Sequence, residues 1–135
     1  MKNSKSIFAS IVFIMLFAAT TMAQSNAKVI AVVNHAEWCP ACVGNGERAQ
    51  GVFTENNKDG AILFVVNDLS TDESKEKSAA DLKKLDLYEA MESQNRTGVA
   101  YFFDAETRKL INQVSVAKPS SEIAEALQTA RKGLK

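Results

Sequence analysis

The stretch Val29-Ile30-Ala31-Val32-Val33-Asn34-His35-Ala36-Glu37-Trp38-Cys39-Pro40-Ala41-Cys42 decides the fold. Its first five residues are apolar and valine-rich, which predicts a buried strand over Val29–Val33. Pro40 has no N–H to donate and its ring suits a first helical turn, so a helix is expected to start there. Strand and helix therefore meet at the two cysteines. A helix N-terminus carries partial positive charge and free backbone donors, which favour thiolate at the first cysteine. Cys39 is the candidate attacking thiol toward a substrate disulfide. Cys42, one turn further on, is the candidate resolving thiol that releases the product. Pro40 stiffens the turn between them, and Trp38 offers an apolar flank on which a protein substrate can dock.

Toward the C-terminus, Gly44, Gly46 and Gly51 each cost about 1 kcal/mol relative to alanine in a helix. The helix is expected to end among the turn formers Asn56–Gly60. Ala61–Asn67 predicts a second buried strand. Ser70 and Glu73 have capping-box spacing and predict a helix starting there, with Ala79, Leu82 and Leu85 on its apolar face. Tyr88 and Met91 extend it or form a second short helix, and Asp72–Lys77 is a solvated face. Val99–Phe103 predicts a third strand, Asp104–Arg108 a hairpin turn, and the alternating Leu110–Val116 a fourth strand. Pro119 and Ser120 lead into a final helix with Ile123, Ala126, Leu127 and Ala130 at helical spacing. The order βαβ–α–ββα predicts an α/β fold with a central mixed four-stranded sheet flanked by helices.

Toward the N-terminus, Lys2 and Lys5 precede the apolar or small-residue run Ile7–Ala19, followed by Thr20-Thr21-Met22-Ala23-Gln24. These are the parts of a secretory signal peptide, with cleavage expected after Ala23. The run is shorter than the roughly 18 apolar residues of a spanning helix. The expected organisation is a signal at 1–23 and one domain at 24–135, soluble and without a membrane anchor once the signal is removed. Export, best fitted by a bacterial periplasm, places both thiols where disulfides form and persist.

The 135 residues carry 16 Lys+Arg against 16 Asp+Glu, so the formal charge is zero. Losing Lys2 and Lys5 leaves a slight acidic excess, and a nucleic-acid binder, which needs a basic surplus, is excluded. Only two cysteines are present, which excludes a four-cysteine zinc site and a multi-bridge disulfide scaffold. A haem attachment pattern needs histidine after Cys42, and Val43 stands there. No cofactor is expected. Asn95-Arg96-Thr97 matches a glycosylation acceptor, a pattern common by chance.

The segment Glu37-Trp38-Cys39-Pro40-Ala41-Cys42 after a valine-rich strand resembles the active-site segment of the thioredoxin-like superfamily, and the likeness in element order runs from Lys28 to Lys132. The resemblance implies thiol–disulfide exchange with protein partners, Cys39 attacking and Cys42 resolving, and a redox partner that the sequence does not identify. It also implies substrate-facing roles for Trp38, Pro40, Thr97 and Gly98. Gly98, after Thr97, stands where the family carries a cis-proline facing the cysteines. A cis bond at a non-proline residue costs about 3 kcal/mol, so Thr97–Gly98 is expected to be trans, glycine permitting a close backbone approach. Val33 stands where thioredoxins proper carry a buried aspartate, which leaves Cys42 without that base.

Two other functions fit the same cysteines. One is a soft-metal carrier for an ion such as Cu(I), using Cys39, Cys42 and His35. The other is a non-catalytic interaction module that retains the fold. His35 is otherwise expected to be a polar surface residue at a strand end, and the chain is expected to be a monomer.

Overall fold

The computed structural model describes residues 27–133. The expected signal and its cleavage site lie outside the described residues. Strand β1 is Val29–His35, helix α1 Pro40–Glu55, β2 Ile62–Asp68, α2 Asp72–Lys84, α3 Tyr88–Glu92, β3 Val99–Asp104, β4 Leu110–Ser115 and α4 Ser120–Lys132. The four strands form one sheet in the order β2-β1-β3-β4. β1 runs parallel to β2 and antiparallel to β3, and β3 is antiparallel to β4.

The inner strands β1 and β3 are almost continuously apolar because helices cover both sheet faces, so neither parity of side chain meets water. On one face Val29, Ala31 and Phe102 pack with Ala49 and Phe53 of α1 and with Ile123, Leu127 and Ala130 of α4. On the other, Ile30, Val32, Tyr101 and Phe103 pack with Leu82, Leu87 and Met91 from the α2–α3 region. The alternation of Cβ atoms along each strand produces this division.

Three expectations need correction. The capping residue of α2 is Thr71, not Ser70: Thr71 Oγ1 accepts from Ser74 N at 3.0 Å and Ser74 Oγ from Thr71 N at 2.9 Å. Ser70 is already engaged, donating to Asp68 Oδ1 and accepting from Glu37 N. Strand β2 is less buried than its apolar sequence suggests: it lies at the sheet edge, and Val66 is 58% exposed. The strict alternation predicted for β4 is broken by a bulge. Phe102 pairs with Asn112 but Phe103 with Leu110, so Ile111 is the extra residue. The bulge brings Ile111 and Val114 onto the same face, against the α1–α4 core.

Candidate functional site

Strand β1 delivers the chain to the site and a tight turn reverses it. His35 O accepts from Leu69 N at 2.7 Å, Ala36 O from Cys39 N at 3.1 Å, and Glu37 N donates to Ser70 Oγ at 2.9 Å. Helix α1 then opens with Pro40, preceded by Cys39 in an extended conformation (φ −87°, ψ 113°). Cys39 Sγ accepts the Cys42 backbone N–H at 3.3 Å, so the sulfur fills the position that a serine or aspartate oxygen takes in an ordinary helix cap.

The two thiols differ in their environments. Both are free and nearly buried, Cys39 at 4% exposure and Cys42 at 5%. Burial opposes ionisation of Cys39. Hydrogen bonding from the Cys42 and Thr97 side chains and from the Cys42 and Ala41 backbone outweighs it and holds the Cys39 thiol below the usual range. Burial pushes the Cys42 thiol up, and its hydrogen bond to Cys39 pushes it further. Cys42 Sγ also lies 3.9 Å from Asn34 O, an alternative acceptor for its single proton. The pair is thus polarised, with negative charge favoured on Cys39 and the proton retained on Cys42.

The wall facing the pair is the end of the loop before β3. Gly98 has φ +76°, a left-handed conformation, and the described residues contain no cis peptide bond, so Thr97–Gly98 is trans as expected. A Cβ built on Gly98 would lie 3.2 Å from Ala41 Cβ and 3.6 Å from both Cys39 Sγ and Val116 Cγ2. Gly98 N donates to Asn34 O and Gly98 O accepts from Val116 N, each at 2.8 Å. Backbone therefore approaches the thiols at a distance that a side chain would obstruct.

The sequence-expected residues Cys39, Cys42, Thr97 and Gly98 come together here, with Pro40 at the rim. Trp38 is 62% exposed. Val33 lines a groove of about 720 Å³ along α1, together with Cys42, Val43, Phe64 and Val66, and no carboxylate of β1 stands beneath the resolving thiol. His35 also lines that groove. Among the described residues, no three His, Cys, Asp or Glu side chains group closely enough to hold a metal ion, so His35 does not complete a ligand set with the cysteines. Sequence reasoning missed Asn34 and Asn67, both buried beside the site. The available signal was a carboxamide directly after the run Val29–Val33, where an unpartnered polar group is costly.

Neither a known family model nor any curated protein sequence matches the chain. Solved structures do. A thioredoxin from Malassezia sympodialis superposes with a TM-score of 0.53 at 16% identity, covering 82% of this chain and 83% of its own. Tryparedoxin I from Leishmania major gives 0.52 at 13% identity, covering 78% of each chain. The Edwardsiella tarda protein Trxlp gives 0.50 at 15% identity, covering 82% of this chain and 91% of its own. The chain has the thioredoxin-like fold: a four-stranded mixed sheet flanked by helices, with its cysteine pair at the junction of β1 and α1. None of the helices among the described residues is long and apolar enough to cross a membrane.

Proposed function

We propose that this protein is an exported thiol–disulfide oxidoreductase, exchanging disulfides with protein thiols through Cys39 and Cys42. The polarised pair carries the proposal: both sulfurs are buried, but the one that caps a helix is held low by hydrogen bonds and the other is held high. In the reducing direction, Cys39 thiolate attacks one sulfur of a partner disulfide. That S–S bond breaks, the partner's other sulfur leaves as thiolate and takes a proton, and a mixed disulfide forms. Cys42 then loses its proton and attacks Cys39 Sγ, forming the Cys39–Cys42 disulfide and releasing the second partner thiol. Two electrons pass from the pair to the partner, and the reverse sequence oxidises a dithiol. Trp38 and Pro40 flank the incoming partner, while Thr97 and the Gly98 backbone face it across Cys39. The bacterial periplasm is the proposed compartment, supported by Lys2, Lys5 and the run Ile7–Ala19, and the working form is the monomer Gln24–Lys135.

The test is the reduction potential of the pair in Gln24–Lys135 against glutathione or dithiothreitol buffers, together with exchange on a protein disulfide. A potential near about −270 mV matches a reductant, and one above about −180 mV an oxidising or isomerising role. A value below about −300 mV with slow exchange means a structural disulfide and overturns the proposal. Cys39→Ser is expected to abolish exchange and Cys42→Ser to trap the mixed disulfide, visible as a mass adduct. Full activity in Cys39→Ser removes the assignment.

A further inference from the structure

Asn34 is the last fully buried residue of β1 and the one whose burial is chemically expensive. It is 0% exposed and follows Val32 and Val33 in a strand that otherwise reads as core. A buried carboxamide is tolerated only when its donors and acceptor are matched, and here all are. Asn34 Nδ2 donates to Gln94 O at 2.7 Å and to Arg96 O at 3.1 Å. Its Oδ1 accepts from Asn67 Nδ2 at 2.9 Å. Its main-chain oxygen accepts from Gly98 N at 2.8 Å and lies 3.9 Å from Cys42 Sγ. One residue thus grips the 94–98 loop at three points, touches the resolving thiol, and is braced from behind by Asn67.

The bond with Asn67 stays within the sheet, but those to Gln94, Arg96 and Gly98 leave it and go to a loop. A residue needed only for the core would be apolar like its neighbours. The loop in question ends at Gly98, where an added Cβ would lie 3.6 Å from Cys39 Sγ, and it has no proline ring to stiffen it.

We propose that Asn34 is a positioning residue, its side-chain amide holding the 94–98 loop so that Thr97 and Gly98 stand against Cys39. The inference rests on the oxidoreductase reading for its purpose but not for its measurement. Thr97 is among the groups whose hydrogen bonding favours the Cys39 thiolate. A loop that drifts withdraws that bond, and the thiolate fraction falls.

The test is Asn34→Asp in reduced Gln24–Lys135. The aspartate has the same shape and keeps an acceptor for Asn67, but turns oxygen rather than N–H toward the carbonyls of Gln94 and Arg96. Alkylation of Cys39 by iodoacetamide at neutral pH is expected to slow about tenfold, the worth of one hydrogen bond to a charged group, while the far-UV circular dichroism is unchanged. Asn34→Leu deletes the same two donors without placing a charge beside the thiols and is expected to slow alkylation likewise, and wild-type alkylation in a folded Asn34→Leu overturns the proposal. Hydrogen exchange of the Asn34 side-chain amide in the wild-type protein tests it even where the variant does not fold. Slow exchange of both hydrogens is expected, and rapid exchange overturns the proposal. Alkylation does not require the chain to act on a protein disulfide. A wild-type chain inactive in exchange but with alkylation sensitive to the uncharged Asn34→Leu therefore removes the functional reading and leaves the positioning role standing.

Discussion

The two ends of β3 are turned by unlike means. At its C-terminal end Asp104 organises the hairpin within five residues. Its N–H donates to Lys109 O at 2.9 Å, its carbonyl accepts from Arg108 N at 2.8 Å, and its Oδ1 accepts from Glu106 N and Thr107 N, each at 2.9 Å. At its N-terminal end the 94–98 loop is held by Asn34, 60 residues from Gln94 and 62 from Arg96. A local turn only has to reverse the chain, and neighbouring residues suffice. The N-terminal loop has to stand at a set distance from Cys39 at the start of α1, and bonds from β1, the strand that leads to it, set that distance. The cysteine pair sits at the end held from afar.

Gly98→Pro breaks the comparison most severely. Proline cannot adopt φ +76°, and it deletes the N–H bond to Asn34 O, so a loss of roughly 3 kcal/mol or more is expected in urea unfolding. A proline at this position is thus expected to damage this chain and not to stiffen its loop. Asp104→Ala removes two acceptor contacts from the hairpin and should lower the melting temperature less. Because the hairpin stands at the end of β3 away from the cysteines, Cys39 alkylation should be unchanged in that variant.

Acidification sharpens the contrast with the smallest effect. Backbone N–H groups of Thr107 and Glu106 hold the Asp104 carboxyl below the usual carboxylate range. A depressed carboxyl contributes stability that is complete above its unfolded pKa of about 4 and lost as pH falls through the folded value. Hydrogen exchange of the Thr107 amide, corrected for its intrinsic pH dependence, should therefore become less protected just below that range. The Gly98 amide should not follow, since Asn34, Asn67 and the carbonyls they meet do not titrate.

Legibility in the sequence follows the same division. The strands β1 and β3, the start of α1 at Pro40 and the apolar face of α4 were readable because each depends on a few adjacent residues. The pair Cys39–Cys42 was readable for the same reason. The cap of α2 moved by one residue because Ser70 is claimed by Glu37 and Asp68, a competition that spacing does not reveal. The bulge at Ile111 depends on register with β3. Asn34 was passed over because its partners become neighbours only after the sheet closes.

Cys39 is buried while the adjacent Trp38 protrudes. In the proposed exchange that combination would filter partners by size and shape. A reagent of a few atoms needs little room to reach the sulfur. A protein disulfide would have to be carried on a segment thin enough to pass the indole and present its sulfur in line with the attacking atom. Bonds on flat or concave faces of folded proteins would be kept out by collision alone, and those on exposed loops, termini and incompletely folded chains would be admitted first.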